Sequence, residues 1–284
     1  MKAFPKEALN DEDDGIQGLF NEISILRELG ESDYLMTFYE IHETVHSVYM
    51  VIEYLPGGEL LKVISKKYKI KKRTIKKIMK NFLIGLAHVH SKGIMHRDLK
   101  PENLMLKSKK KIYNVKIIDF GLGTFVNVKE FLFKRCGTPG FVAPEVILHG
   151  KTQKYGPKAD IFSAGVIFYI LLKGSSPFPS NDFRKVLKMN KACNIKFECF
   201  ADFSPACVNL LKKMLQKEPT NRLSALECLE HDYFLEKGKS PIQGINTIIK
   251  NYINKSIVTF GDMSTGNIDK KRKFNKTRVQ RTKQ

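Results

Sequence analysis

Two short stretches hold the residues of this chain best equipped for chemistry. One is His96-Arg97-Asp98-Leu99-Lys100-Pro101-Glu102-Asn103, and the other is Val115-Lys116-Ile117-Ile118-Asp119-Phe120-Gly121. Asp98 is a proton acceptor, Lys100 a compact cation, and Asn103 with Asp119 offers two hard oxygen donors. Such donors suit Mg²⁺, which takes one or two protein side chains and completes its shell with water and phosphate oxygens. A carboxylate can accept the proton of an attacking hydroxyl while an ammonium steadies a migrating phosphoryl group. The chemistry expected of this set is phosphoryl transfer.

Defined elements must hold these groups. Residues 18–29 follow helical spacing, which predicts Phe20, Ile23 and Leu26 on one buried face with Ile16 and Leu19, and Glu22 beside it. Residues 35–41 and 48–55 read as two strands around a turn, rich in β-branched and aromatic residues, stopped by Pro56-Gly57-Gly58. Residues 62–91 read as two helices, the second over 75–90 with Ile75, Ile78, Met79, Phe82, Leu83, Leu86, Ala87 and His90 inward. Residues 160–172 are apolar all round, as a helix at the centre of a large lobe should be. The basic runs at 66–73 and 107–111 read as solvated surface rather than as a nucleic-acid site.

Composition bounds the function classes. The 284 residues are 42% hydrophobic, enough to bury a substantial core, and the apolar run 161–172 is too short to span a bilayer. The polar, acidic start carries no signal-peptide pattern. Cys136, Cys193, Cys199, Cys207 and Cys228 include no Cys-x-x-Cys pair, so neither a disulfide framework nor a zinc site is indicated, and a reducing, cytoplasmic setting is expected. No Asp-x-Asp-x-Asp-Gly calcium loop is present. Residues 269–284 form a basic tail, expected to be disordered and a candidate nuclear-import segment, after one possible short helix at 242–253.

The His96–Asn103 and Asp119–Gly121 motifs, with Cys136-Gly137-Thr138-Pro139-Gly140-Phe141-Val142-Ala143-Pro144-Glu145 beyond them, resemble a eukaryotic serine/threonine protein kinase. Lys173-Gly174-Ser175-Ser176-Pro177-Phe178 and the preceding helix look most like the calcium/calmodulin-dependent kinase group. The resemblance covers the chain to about Phe234. It implies an α+β, bilobal kinase fold: a truncated small β lobe over 1–55, a mainly helical large lobe over 56–237, and the tail from 238.

The same resemblance implies roles. Asp98, Lys100, Asn103, Asp119 and Thr138 would be catalytic, with Asn103 and Asp119 holding Mg²⁺. Lys2 paired with Glu22 would grip ATP, and Ile52, Glu53, Leu55, Glu59 and Met105 would line the nucleotide site, Ile52 as gatekeeper and Glu53 and Leu55 through their backbones. Glu59 reads equally well as a helix first-turn glutamate. Asp160 would tie down the catalytic loop, Glu145 would pair with Arg222, and Leu26, Phe38, His96 and Phe120 would stack as a column. Protein substrates are implied, with an arginine three residues before the target read by Glu59 and Glu102, and with Ile170 leaving no acid for an arginine nearer the target. Lys134 would face Arg97, so activity without activation-loop phosphorylation is expected.

One departure from the family stands out. The 284 residues contain no Gly-x-Gly-x-x-Gly loop ahead of Lys2, which the family uses to cover the phosphates. The expectation is a fragment or a reading frame begun at an internal methionine, with poor ATP binding. The alternative is a pseudokinase scaffold.

Overall fold

In a computed structural model, which describes residues 1–11, 15–65, 70–149 and 154–235, the chain opens with strand β1 (Lys2–Pro5) and a short helix α1 (Lys6–Asp11). Helix α2 (Gly15–Leu29) follows, then β2 (Phe38–Glu43) and β3 (Ser47–Ile52). The three strands form one antiparallel sheet in the order β1-β3-β2, with Lys2 opposite the fully buried Met50. Residues Met1–Glu236 make one compact unit; the second, Lys237–Gln284, lies outside the described residues together with the expected helix at 242–253 and the basic tail.

The buried stripe of α2 is Leu19, Glu22, Ile23, Ile25, Leu26 and Leu29, whereas Ile16 and Phe20 are 45% and 65% exposed. The expectation for those two residues is corrected by the helix period. Steps from 19 to 22 and 23, then 26 and 29, stay on a 3.6-residue face, while 16 and 20 fall off its flank. The strands also shift. Leu35 and Met36 precede β2 and pair instead across to Ile117, Leu35 in a parallel bridge and Met36 through its N–H to the Ile117 carbonyl at 3.0 Å.

From here the fold is mainly helical. Helix α3 (Leu60–Ser65) leads to α4 (Lys72–Ser91), longer than the apolar pattern alone marked, with Val89 buried and Ala87 and His90 only half-buried. Two small antiparallel sheets carry the chemistry-bearing loops: β4 (Ile94–Met95) with β7 (Thr124–Phe125), and β5 (Leu104–Leu106) with β6 (Val115–Ile117). Gly57 ends the hinge where its N–H donates to the Leu106 carbonyl at 3.1 Å; a Cβ there would lie 2.2 Å from that oxygen, so only glycine fits.

Helix α5 (Pro144–His149) precedes α6 (Lys158–Lys173), in which every residue from Ala159 to Tyr169 is buried. Helix α7 (Phe183–Ala192) packs on α5, α8 (Pro205–Met214) on α6 and α9 (Ala225–Glu230) on α4, started by side-chain caps from Asp182, Ser204 and Ser224 respectively. The class is α+β, with a small antiparallel sheet followed by helices. Among the described residues no helix is long and apolar enough to cross a membrane.

Arg222, 1% exposed, fastens the end of this arrangement. Its guanidinium donates to both Glu145 oxygens at 2.7 and 3.0 Å and to the carbonyls of Lys158, Gln216 and Lys217. Removing one side of such a pair leaves an uncompensated buried charge. Arg222→Met is expected to lower unfolding stability by about 3–5 kcal/mol, read from urea denaturation of the full chain. A loss below about 1 kcal/mol would mean the pair is dispensable.

Candidate active site

Asp160, at the first turn of α6 and 1% exposed, organises the loop after β4. Its Oδ2 accepts from the His96 N–H at 2.9 Å and contacts His90 Nε2 at 2.9 Å, while Oδ1 accepts from the Arg97 N–H at 2.9 Å. Arg97 is thereby held at φ 70°, a left-handed conformation that costs a non-glycine residue roughly 1 kcal/mol or more. Burial pushes the Asp160 carboxyl up, but the bonds from His90 and the loop outweigh it, so its pKa lies below the ordinary carboxylate value. His96 stacks at a tilt on Phe120 with centroids 4.8 Å apart, and its Nε2 meets the Ile118 carbonyl at 2.9 Å. Leu26, His96 and Phe120 are buried and Phe38 half-buried.

The loop brings the expected catalytic group together. Thr138 Oγ1 donates to Asp98 Oδ1 at 2.6 Å, Lys100 Nζ donates to Thr138 Oγ1 at 3.2 Å, and Lys100 Nζ lies 2.8 Å from Asp98 Oδ2. Asn103 ends a 3₁₀ turn (Pro101–Asn103) and donates its amide to the Asp98 carbonyl at 2.8 Å. That bond fixes the amide with Oδ1 as its remaining acceptor. Asp119 sits at φ 63° just beyond β6, with Oδ1 capped by the Gly121 N–H at 3.3 Å. An amide oxygen and a carboxylate are the kinds of donor that Mg²⁺ takes from a protein when phosphate supplies the rest. Among the described residues no cluster of three or more His, Cys, Asp or Glu suggests a fully protein-built metal cage.

Lys2 reaches this point from the sheet. Its Nζ lies 3.0 Å from both Glu22 oxygens and 3.4 Å from Asp119 Oδ1. Burial raises the Glu22 pKa above its usual value despite the Lys2 ammonium. At Asp119 burial also pushes upward, but Lys2 and the Gly121 amide prevail and the net direction is down. Asp119 is therefore an ionised oxygen donor at neutral pH.

Ile52 ends β3, and the Glu53 N–H is taken by the Thr37 carbonyl at 2.8 Å, leaving the Glu53 carbonyl for any hinge contact. Leu55 is buried, and Met105 bridges antiparallel to Glu59. The Glu59 carboxylate is not free: Lys62 Nζ lies 2.6 Å away. This favours the first-turn helix reading of Glu59 over a ribose contact. Sequence reasoning missed Lys116, which is 2% exposed and donates to Glu53 Oε2 at 2.6 Å and to the carbonyls of Leu35 and Ser32 at 2.9 and 3.1 Å. The available signal was a lone charge inside the apolar strand before Asp119.

Arg97 also differs from expectation. Lys134 does not face it but pairs with Glu130 at 3.7 Å, because the exposed loop lets a long side chain reach its i−4 neighbour. The Arg97 guanidinium instead donates to the Phe133 carbonyl, contacts Cys136 Sγ at 2.8 Å and lies 5.0 and 5.5 Å from the ring centres of Phe131 and Tyr155.

Comparison with known proteins agrees with this geometry. The protein kinase domain family matches residues 1–234. The chain is 39% identical over 221 residues to probable serine/threonine-protein kinase 2 of Plasmodium falciparum, covering 77% of this chain and 42% of that protein. It is 36% identical over 244 residues to calcium-dependent protein kinase 11 of Arabidopsis thaliana, covering 84% and 48%. A probable myosin light chain kinase of Dictyostelium discoideum is 35% identical over 240 residues, covering 83% and 76%. The chain thus spans less than half the length of the first two of these relatives.

Asp160→Asn keeps volume but offers one acceptor where three donors converge. It is expected to cost about 1–3 kcal/mol at neutral pH. Because the folded-state pKa is depressed, the Asp160 contribution is complete above the ordinary carboxylate value and is lost as pH falls through the lowered one. Urea melts at neutral pH and near about pH 2 should show the gap between wild type and variant narrowing in acid. A gap that widens would contradict the assignment.

Proposed function

The chain belongs to the protein kinase family, and on that premise we propose that it transfers the γ-phosphate of ATP to serine or threonine hydroxyls of proteins. The observation that carries this reading is the convergence of Asp98, Lys100 and Thr138 within hydrogen-bond distance of one another, with the Asn103 amide bonded to Asp98. The Thr138 hydroxyl on Asp98 marks where a substrate hydroxyl would lie. Asp98 would accept its proton as the hydroxyl oxygen attacks, and Lys100 would offset charge on the moving phosphoryl group. Asn103 Oδ1 and the Asp119 carboxylate would hold Mg²⁺. Bound there, the ion neutralises phosphate charge and orients the β- and γ-phosphates. Lys2, fixed by Glu22, would bind phosphate oxygens from the opposite side. Ile52, Glu53, Leu55 and Met105 would surround adenine. The pseudokinase reading is not favoured, since the family match and the serine/threonine kinase relatives support transfer and the residues for the chemistry are all present in the sequence.

Basic peptides are the proposed substrates, with an arginine three residues before the target. Glu102 is exposed for such a contact, and Glu59 would have to exchange Lys62 for the incoming guanidinium. A cytoplasmic location, with the basic tail available for nuclear import, completes the proposal.

Phosphate transfer to a basic peptide at millimolar Mg-ATP tests the reading. Asp98→Asn should lower turnover by about a hundredfold or more by removing the proton acceptor, and wild-type turnover in that variant would sink the role of Asp98. Asp119→Asn should weaken nucleotide binding only when Mg²⁺ is present, measured by calorimetry with and without the metal.

Activation-loop control follows from Arg97. Arg97 Nη2 is bonded to the Phe133 carbonyl and Cys136 and the guanidinium lies against two rings, so the loop is tethered without a phosphate even though Nε and Nη1 have no hydrogen-bond partner among the described residues. Phosphatase treatment is expected to leave the transfer rate unchanged. A treated sample that lost activity, and regained it on phosphorylation between Gly121 and Cys136, would reverse this conclusion.

A further inference from the structure

Helix α7 is exposed along most of its length and buries only Val186 and Asn190, one turn apart. Asn190 is completely buried, an expensive position for an amide unless both its ends are bonded. They are, and to one short segment: Oδ1 accepts from the Gly140 N–H at 2.8 Å, and Nδ2 donates to the Val142 carbonyl at 3.1 Å. Among the described residues it is the only side chain of α7 bonded to residues 138–142. Gly140 meets it at φ 95°, a conformation that favours glycine, and turns its amide toward the helix.

The same segment begins at Thr138, whose hydroxyl touches Asp98 and Lys100, and within it Phe141 accepts a bond from Ser163 of α6 at 2.8 Å through its carbonyl. A polypeptide whose hydroxyl sits at Asp98 must continue past this segment, where Pro139, Phe141 and Val142 remain partly exposed. The backbone facing that polypeptide is therefore pinned at one end by the reacting groups and at the other by one buried amide.

We infer that Asn190 is a positioning residue for the protein substrate, acting through the backbone of Gly140 and Val142 and not through nucleotide; this rests on the kinase reading given above. Asparagine supplies what the site needs, an acceptor and a donor on one planar group, set for an N–H and a carbonyl two residues apart. Aspartate has the same shape but would aim an oxygen at the Val142 carbonyl. Leaving that contact unmade displaces the segment without touching Lys2, Asn103 or Asp119.

Initial-rate kinetics on the full chain, varying peptide and Mg-ATP separately, test the inference. Asn190→Asp should raise the peptide KM by about tenfold, the scale of one buried hydrogen bond lost, with kcat and the ATP KM within about twofold of wild type. A smaller, uncharged variant, Asn190→Ser, should move the peptide KM the same way and should speed hydrogen exchange of the Gly140 amide; it carries the test if the aspartate variant does not fold. A peptide KM unchanged in the folded variants, or a parallel change in the ATP KM, overturns the positioning role while leaving the kinase reading intact. No phosphate transfer by the wild-type chain overturns the kinase reading itself.

Discussion

Three donors converging on the buried carboxylate of Asp160 are the constraint on which the rest of this structure depends. The loop that carries Asp98 turns through Arg97 in a left-handed conformation, which the backbone would not hold alone. Both Asp160 oxygens compensate by accepting the N–H groups of His96 and Arg97. That carboxylate is fixed because it stands on α6, whose residues from Ala159 to Tyr169 are all buried. Core packing thus reaches the site through the Asp160 side chain, and the strain at Arg97 is stored where the helix can hold it.

A second link joins the sheet to this centre. Lys2 stands on β1, Glu22 on α2 and Asp119 beyond β6, and the lysine touches both acids. Its charge favours the ionised form at both carboxyls, but the net outcomes differ: at Glu22 it only limits the upward shift that burial imposes, and at Asp119 it helps carry the group below its ordinary value. Lys116 makes a parallel connection on the far side of the strand, binding the hinge through Glu53 and the approach to β2 through the Leu35 carbonyl. The residues before Asp119 are held at the Ile118 carbonyl by His96, itself stacked on Phe120, and through the buried side chain of Lys116.

The segment after Gly121 is fixed by mixed chemistry rather than by one bond type. Arg97 anchors it with a carbonyl, a thiol and two aromatic faces, Thr138 with the reacting groups, and α6 and α7 with Ser163 and Asn190. Glu145 and Arg222 then close it against the end of the helical part. Each anchor engages backbone or a side chain of fixed geometry, so the loop needs little regular secondary structure to hold one path.

Much of this was legible in the sequence, because motif spacing encodes local geometry. The positions of Asp98, Lys100, Asn103 and Asp119 and the all-apolar run that becomes α6 follow from residue types at characteristic separations, and the pairings of Lys2 with Glu22 and Glu145 with Arg222 were implied by the kinase resemblance those motifs carry. What the pattern could not decide was which atoms meet across long sequence separations. A 3.6-residue period misjudged by one step turned Phe20 outward, Lys134 found Glu130 instead of Arg97, and Glu59 was taken by Lys62. Lys116 and Asn190 look like ordinary polar residues in a basic chain, and only the fold, by burying them against backbone groups, makes them structural ties. Their importance is a property of desolvation, which no local sequence pattern carries.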